Sequence, residues 1–310
     1  MTVNILFSAQ NGLWDTYKDE LPAALSAQGV TAQISPNMPA EQTDYIVYAP
    51  NPELTNFAPF TRTKAVLSLW AGVETIVGNA TLTHPLCRMV DEGLELGMTE
   101  WVVGHVMRHH LGMDPHIHGL NGLWDQTTPP LARDRHVTIL GLGMLGGAAA
   151  TALASLGFNV TGWSRSPKDI KGVTCLHGVD GLKHALQSAE ICVLLLPNTT
   201  ETENTLNAET LAMMPRGAVI LNPGRGVLID DSALLSSLES GQIGHATLDV
   251  FRVEPLPETH VFWQHPNITV TPHIAADTRP KSASQVIATN IKRSETGQPL
   301  LHLVDRTAGY

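Results

Sequence analysis

The sequence predicts an α/β fold made of two parallel-sheet domains, and three observations support this prediction. Short aliphatic runs alternate with helical stretches along most of the chain, which is typical of parallel sheets covered by helices. A second series of such runs begins after an irregular stretch, residues 112–134, that contains Gly, Pro and Thr. The length of 310 residues also favours two domains over one.

The order of the elements follows from these runs. In the first series, strands are predicted at 3–7, 45–48 and 65–69, and helices at 14–27 and 100–111. In the second series, strands are predicted at 137–140, 159–163, 191–195, 218–221, 246–250 and 268–270. Further helices are predicted at 232–238 and 281–296. The last helix follows the last strand of the second series, so it is free to return to the first domain.

The segment Gly141-Leu142-Gly143-Met144-Leu145-Gly146 lies between a predicted strand and an Ala/Leu-rich helix, and a second strand follows that helix. In this context Gly141 permits a tight turn, Gly143 lets the backbone approach a pyrophosphate, and Gly146 lets the helix pack closely on the strand. The helix N-terminus presents free N–H groups to the phosphates. The segment predicts a dinucleotide site; the alternative is a turn that binds nothing.

The end of the next strand indicates which dinucleotide is preferred. A carboxylate at this place usually accepts a hydrogen bond from the ribose 2′-hydroxyl of NAD. This chain instead has Ser164, Arg165, Ser166 and Lys168. A hydroxyl beside two cations suits a 2′-phosphate through charge-assisted hydrogen bonds. We therefore predict a preference for NADP(H), with NAD(H) possible if Arg165 and Lys168 are only solvated surface charges.

Together these patterns predict one domain inserted into another. Residues 100–277 form a dinucleotide-binding Rossmann domain, and residues 1–99 plus 278–310 form a smaller, flavodoxin-like substrate domain. A hinge and an active-site cleft are expected between the domains, because ligands of open α/β sheets bind at the carboxyl ends of the strands.

Composition excludes several classes of protein. A net charge of −10 argues against binding to nucleic acid, which requires a basic surface. The chain has no long apolar run and no signal-peptide pattern at its start, so we expect neither a membrane span nor secretion. Three widely spaced cysteines (Cys87, Cys175 and Cys192) suit a reducing compartment. A cytoplasmic location is the prediction.

Three polar residues near the ends of predicted strands suit the reduction of a 2-keto acid. Arg225 offers a fork of donors for a carboxylate and a carbonyl oxygen. His273 titrates in the range needed to protonate a developing alkoxide. Glu254 is a carboxylate that can orient an imidazole and favour its protonated form.

These motifs resemble the D-isomer-specific 2-hydroxyacid dehydrogenase family over nearly the whole chain. The resemblance includes segments 67–73 and 195–199 and the segments around Arg225, Glu254 and His273. Within the family, three features are most similar to the glyoxylate/hydroxypyruvate reductases, a subgroup that prefers NADPH. They are Trp163-Ser164-Arg165, Pro255-Leu256-Pro257 and the C-terminal pair Val304-Asp305-Arg306 with Gly309-Tyr310.

The resemblance implies a role for each matching residue. His273 is implied as the acid/base and Glu254 as its partner, while Arg225 and the backbone N–H groups of Ala71 and Gly72 bind the substrate. Further cofactor contacts are implied for Met144, Leu145, Leu196, Pro197, Pro223, Gly224, Asp249 (near the nicotinamide carboxamide), His273 and Ala275. Tyr48 and Trp70 are candidate substrate-pocket residues, with core or surface placement as alternatives. A homodimer is also implied.

Two departures from the family pattern concern the substrate more than the reaction. Trp70 stands where the family usually has Gly or a small residue, and Pro223-Gly224 replaces the more usual pair before the arginine. The resemblance implies NADPH-dependent reduction of glyoxylate to glycolate and of hydroxypyruvate to D-glycerate. The alternatives are a dehydrogenase for another D-2-hydroxy acid and a non-catalytic NAD(P)H-sensing module on the same fold.

A group of histidines, led by His105 and His109, invites a metal-site interpretation. The two are four residues apart and share a helix face, but no Glu lies between them in an HExxH arrangement and no Cys is near. We expect no metal.

Overall fold

The structure, a computed structural model, describes residues 2–10, 12–307 and 309. The chain separates into two compact units, Met1–Leu94 with Asp277–Tyr310, and Glu95–Ala276. The first crossing between them falls inside a helix that starts at Glu92, well before the predicted helix start at residue 100. Of the C-terminal residues that carry the family resemblance, Tyr310 lies outside the described residues.

The first unit contains a parallel sheet that, in the described residues, has five strands in the order β2-β1-β3-β4-β5. The strands are β1 Val3–Ser8, β2 Ala32–Ser35, β3 Tyr45–Tyr48, β4 Ala65–Ser68 and β5 Leu86–Cys87. This is the flavodoxin-like order. The short strands β2 and β5 are absent from the sequence prediction, because they lie at sheet edges and β2 lacks a continuous aliphatic run.

Helices cover this sheet: α1 Leu13–Tyr17, α2 Glu20–Ala27 and, from the C-terminal part of the chain, α9 Pro280–Glu295. The single helix predicted over 14–27 is wrong, since the chain turns between α1 and α2. Pro22 lies in the first turn of α2, where a missing backbone N–H is tolerated. In the interior of a continuous helix over 14–27 the same proline would remove a hydrogen bond. Apolar cores lie on both faces of the sheet, around Ile5 and Ile287 on one and Ile46 and Phe57 on the other.

The second unit contains a larger parallel sheet, with seven strands in the described residues, in the order β12-β11-β10-β9-β6-β7-β8. Its strands are β6 His136–Leu140, β7 Asn159–Ser164, β8 Val173–His177, β9 Ile191–Leu194, β10 Ala218–Asn222, β11 Ile243–Leu248 and β12 Ile268–Val270. The chain order reverses between β6 and β9, as in Rossmann folds.

Helices of this unit pack on both sheet faces over two apolar cores. They are α3 Glu92–His110, α4 Met113–His118, α5 Met144–Ser155, α6 Gly178–Gln187, α7 Ala208–Met213 and α8 Asp231–Glu239. The strand predicted at 246–250 lies earlier in the structure, because β11 runs from Ile243 to Leu248. The sequence prediction misses its start because Gly244 and His245 interrupt the apolar pattern after Ile243.

The two parallel-sheet α/β units confirm the predicted fold class. No helix in the described part of the chain has the length and apolar character needed to cross a bilayer.

Candidate active site

Arg225, Glu254 and His273 follow three strands that are neighbours in the larger sheet. Arg225 comes after β10, Glu254 after β11 and His273 after β12. Because these strands are parallel, their carboxyl ends lie at one edge of the sheet. The order of the strands therefore brings together side chains that are separated by up to 48 positions in the sequence.

Glu254 and His273 form a direct pair. Glu254 Oε2 lies 2.7 Å from His273 Nδ1, and Glu254 Oε1 accepts a hydrogen bond from the backbone N–H of Phe251 at 2.8 Å. Both carboxylate oxygens are thus engaged, which fixes the direction of the carboxylate. A carboxylate on Nδ1 leaves Nε2 as the ring atom available for proton transfer. Their side chains are 35% and 53% exposed, so a substrate can reach the imidazole.

The loop that carries His273 is held by the buried carboxylate of Asp249. Asp249 accepts hydrogen bonds from Thr271 Oγ1 at 2.5 Å and from the backbone N–H groups of Ile274 and Ala275, both at 2.9 Å. The Asp249 carbonyl also accepts a hydrogen bond from His273 N at 2.8 Å. These contacts hold His273 in a left-handed backbone conformation, with φ 54°, which residues other than glycine rarely adopt.

The contact with the nicotinamide carboxamide implied for Asp249 stays a prediction, and the structure adds a second role, the anchoring of the loop. The side chain is 0% exposed and its oxygens are engaged by the 271–275 loop. Sequence reasoning missed this anchoring role, although an acidic residue at the end of one strand and Thr-Pro-His at the end of the next are visible signals.

Arg225 lies half-buried at the start of a 3-10 turn, Gly226–Leu228. Its Nη1 donates to the carbonyl of Gly224 at 2.7 Å, and its own carbonyl accepts from Asn222 Nδ2 at 2.9 Å. A Cβ at Gly226 would lie 2.0 Å from the carbonyl carbon of Phe251. The turn that presents Arg225 therefore contacts the backbone of the loop that presents Glu254.

The glycine segment forms a tight turn between β6 and α5. Gly141 has φ 109°, and a Cβ there would lie 2.4 Å from the carbonyl oxygen of Leu195. A Cβ at Gly146 would lie 1.8 Å from the carbonyl oxygen of Gly141. A Cβ at Gly143 would meet no described atom within 4 Å, so this backbone faces open space at the N-terminus of α5. The residues present fit a dinucleotide pyrophosphate at this point.

The segment after β7 places a hydroxyl beside exposed cations. Ser164 is buried and donates to the carbonyl of Ser166 at 2.8 Å, whereas Arg165, Ser166 and Lys168 are exposed. The acidic residue Glu201 lies near these cations. Its pKa is held below the usual range by hydrogen bonds from its own backbone N–H and from Thr199, and by the charge of Arg165. Arg165 is therefore close enough to Glu201 for the two charges to interact, so the charge around the end of β7 is mixed and not purely positive.

The remaining residues assigned to the cofactor differ in how they could contact it. The side chain of Met144 is 47% exposed, and Leu145 and Pro197 are half-buried. Leu196, Pro223, Gly224 and Ala275 are buried, so their backbone atoms are the groups available to a ligand. A Cβ at Gly224 would lie 2.7 Å from the carbonyl oxygen of Leu194, which explains why glycine precedes Arg225.

In the first unit, the segment after β4 is held by Ser68. Its Oγ accepts from Trp70 N and donates to Trp70 O, both at 3.0 Å. The Trp70 side chain is 39% exposed and lines a cavity of about 470 Å³ with Leu13, Tyr17 and Thr278. In the described part of the chain, no acceptor bonds the backbone N–H of Ala71 or Gly72, which leaves both donors available for a ligand.

Tyr48 is placed in the core of this unit. It is 5% exposed, stacks edge-on against Phe57 with ring centroids 5.4 Å apart, and donates to the carbonyl of Leu54 at 3.3 Å. The structure thus favours the core alternative for Tyr48 over a substrate-pocket position.

His109 of α3 and His245 of β11 take part in a partly buried hydrogen-bonded network. His109 Nε2 lies 3.0 Å from Thr247 Oγ1, and His245 Nε2 lies 2.9 Å from Thr269 Oγ1. Burial lowers the pKa of His109 to about 3 and that of His245 to about 4, with nearby positive charge from Arg108 acting in the same direction. Among the described residues, no group of His, Cys, Asp and Glu side chains is arranged to hold a metal ion.

Comparisons with known proteins show the family to which the chain is related. The family model of the D-isomer specific 2-hydroxyacid dehydrogenase NAD binding domain matches residues 104–275. Glyoxylate/hydroxypyruvate reductase A of Serratia proteamaculans is 38% identical over 303 residues, which cover 94% of this chain and 96% of that protein.

Two solved structures share the fold over nearly the whole chain. A D-isomer specific 2-hydroxyacid dehydrogenase from Xanthobacter autotrophicus Py2, in complex with NADPH and MES, has 38% identity and a TM-score of 0.90, covering 98% of this chain and 99% of that one. An NADPH-dependent glyoxylate/hydroxypyruvate reductase from Sinorhizobium meliloti, in complex with NADP and sulfate, has 34% identity and a TM-score of 0.86, covering 99% and 100%. This chain therefore belongs to the D-isomer specific 2-hydroxyacid dehydrogenase family.

Proposed function

We propose that this protein is an NADPH-dependent reductase of small 2-keto acids, which converts glyoxylate to glycolate and hydroxypyruvate to D-glycerate. The observation that carries the proposal is the pair of Glu254 and His273, 2.7 Å apart, at the sheet edge that also carries Arg225. Acid/base and anion-binding groups are thus combined at the carboxyl ends of strands in a dinucleotide-binding sheet.

Arg225 binds the substrate carboxylate, and the backbone N–H groups of Ala71 and Gly72 are the donors of the first unit assigned to the substrate. The guanidinium supplies two parallel donors, which suit a carboxylate next to a keto oxygen. Ala71 and Gly72 are half-buried, and their segment is held in place by Ser68. Donation from Arg225 to the keto oxygen also polarises the bond that is reduced.

His273 donates the proton. When reduction places negative charge on the keto oxygen, His273 Nε2 transfers its proton to that oxygen. Glu254 holds the ring by Nδ1 and stabilises the imidazolium before the transfer, because an opposite charge at hydrogen-bond distance favours the charged form. Asp249 acts on this step only through the 271–275 loop.

The dinucleotide is held by the glycine segment and by the residues after β7. NADPH, when bound, supplies the hydride that reduces the keto carbon. The open backbone at Gly143 and the N-terminus of α5 bind the pyrophosphate. Ser164, Arg165, Ser166 and Lys168 bind the 2′-phosphate, and the names of the relatives with bound NADPH or NADP support this preference.

The proposal includes a cytoplasmic homodimer. Large apolar side chains of the second unit are exposed, among them Ile117 at 65%, Leu123 at 67% and Trp124 at 85%, which favours association with another copy. Cys87 and Cys192 are free and buried, which suits a reducing compartment. Light scattering on the purified protein tests the dimer, and cell fractionation tests the location.

The testing experiment follows the absorbance of the dihydronicotinamide with purified protein. NADPH or NADH is offered with glyoxylate, hydroxypyruvate, pyruvate or phenylpyruvate. Fast oxidation of NADPH with the first two acids is the expected result. Faster turnover of another acid identifies a different D-2-hydroxyacid dehydrogenase, and cofactor binding without turnover of any acid identifies a sensing module.

A further inference from the structure

The second unit contains one arginine that joins the loops on which the acid/base and anion-binding groups stand. Arg252 lies two residues before Glu254, in the loop that follows β11. Its guanidinium is not directed to the Glu254–His273 pair. It donates from Nη2 to the carbonyl of Ile229 at 2.6 Å and to that of Val227 at 3.3 Å. These carbonyls belong to the turn that begins next to Arg225.

The same guanidinium reaches a third loop. Nη2 also donates to Asn204 Oδ1, and Asn204 has a left-handed backbone, φ 51°. The Asn204 N–H in turn donates to the carbonyl of Val227 at 2.9 Å. Arg252 Nη1 lies 3.5 Å from Glu203 Oε1, and Nε lies 3.9 Å from Asp231 Oδ1. One side chain therefore links three segments of the chain: 203–204, 227–231 and its own.

The backbone around Arg252 is equally constrained. A Cβ at Gly226 would lie 2.4 Å from Arg252 N, so the residue after Arg225 packs directly on this loop. On the other side, Phe251 N donates to Glu254 Oε1 at 2.8 Å. A shift of residues 251–252 relative to Gly226 thus changes the separation between Arg225 and Glu254, and with it the position of His273.

We propose that Arg252 is a positioning residue for the reaction: it fixes the turn of Arg225 against the loop of Glu254, so that the anion-binding and proton-donating groups keep one spacing. This inference rests on the proposed function. The three hydrogen bonds leave from Nη2, while Nη1 and Nε face the carboxylates of Glu203 and Asp231. A planar guanidinium can serve these separate groups with different nitrogens at once, which a single ammonium nitrogen cannot do. Misplacement by about 1 Å of groups that act together can cost on the order of 10²-fold in rate.

The test compares Arg252→Met and Arg252→Lys with Arg216→Met. Arg216 is a matched control, because it also donates to a backbone carbonyl, that of Ser240 at 2.7 Å, in the same unit. For R252M we expect kcat with NADPH and glyoxylate to fall between about 10-fold and 10²-fold, while the KM for NADPH changes little. R252K restores part of kcat, and R216M keeps the wild-type value.

The pH profile separates positioning from simple stabilisation. If R252M moves Glu254 away from His273, the midpoint of the alkaline limb of kcat/KM moves in the same direction as in Glu254→Gln. R252K provides a milder variant should R252M fold poorly, and thermal unfolding is measured for each protein. A wild-type kcat and pH profile in R252M, with only a lower unfolding temperature, overturns the inference while leaving the proposed function intact. No turnover by the wild-type enzyme with any acid overturns both.

Discussion

The two parallel sheets of this protein carry different functional groups at the carboxyl ends of their strands. In the larger sheet, the segments after three adjacent strands carry a guanidinium, a carboxylate and an imidazole: Arg225, Glu254 and His273. In the smaller sheet, β1, β3 and β4 end in the hydroxyl residues Ser8, Tyr48 and Ser68. All three hydroxyls have internal partners: Ser8 Oγ accepts from Asn51 Nδ2, Ser68 holds the backbone of Trp70, and Tyr48 donates to the carbonyl of Leu54. Ionisable groups for proton transfer are thus concentrated in one sheet.

The turns after the first strand of each sheet differ in a related way. In the larger sheet, α5 starts at Met144 and is 12 residues long, with Gly146 packed on the carbonyl of Gly141. In the smaller sheet, α1 is only 5 residues long. A Cβ added at Gly12, which precedes α1, would meet no described atom within 4 Å. A long helix with close glycine packing directs its N-terminus at a phosphate. The same topological position therefore binds a dinucleotide only where the helix and its glycines permit it.

The largest expected effect tests the chemistry of the larger sheet. His273→Ala removes the proton donor, and we expect kcat with glyoxylate to fall on the order of 10²–10⁴-fold. The matched control is His136→Ala, an exposed histidine at the start of β6 whose contact with Glu190 uses the backbone. Steady-state kinetics of both variants measures the difference. Near wild-type activity of H273A contradicts the assignment of the proton donor.

A smaller effect is expected at the end of β7. Arg165→Ala removes a charged donor to the 2′-phosphate, so the KM for NADPH should rise about 10-fold to 10²-fold, while the KM for NADH stays within a factor of two or so. Lys171→Ala, a nearby exposed cation, serves as the control. Equal changes with both dinucleotides show that Arg165 does not distinguish them.

The contrast between the two glycine turns predicts unequal costs in stability. Gly146→Ala places a Cβ 1.8 Å from a backbone oxygen, and we expect a loss on the order of 3 kcal/mol in the free energy of unfolding, with weaker NADPH binding. Gly12→Ala is strained only by its φ of 91° and should cost about 1–2 kcal/mol. Urea unfolding followed by fluorescence compares the variants, and equal losses contradict the role of close packing at Gly146.

The smallest effect concerns the partly buried histidines of the second unit, His109 and His245. The pKa of His109 is about 3 in the folded protein against an ordinary value of 6.5. Below pH 6.5 the unfolded chain therefore binds a proton that the folded protein does not bind, and stability falls as the pH falls toward 3. The unfolding temperature of His109→Gln should decline less between pH 7 and 5 than that of the wild type.

The exposed His116 supplies the control for this slope, since His116→Gln leaves the buried network unchanged. Absolute unfolding temperatures are not compared, because the His109 substitution also removes the contact with Thr247 at 3.0 Å. An unchanged slope in H109Q shows that other groups dominate the acid sensitivity.

The amino-acid sequence by itself determined the fold class, the dinucleotide motif and the identity of the acid/base candidates. Aliphatic runs and the glycine spacing are local signals, because each depends on residues within one strand–turn–helix unit. The same reasoning failed where the signal is weak or interrupted: the edge strands β2, β5 and β8, the start of β11 at Ile243, and the break between α1 and α2.

Only the tertiary structure decided which polar residues meet. The engagement of Glu254 with His273, the anchoring of the 271–275 loop by Asp249 and the burial of Tyr48 depend on strands that are adjacent in space but distant in sequence. An aspartate after a strand has the same sequence signature whether it contacts a ligand or holds a loop. Its role is decided by the donors that the neighbouring strand brings to it, because a buried carboxylate must be matched by hydrogen bonds.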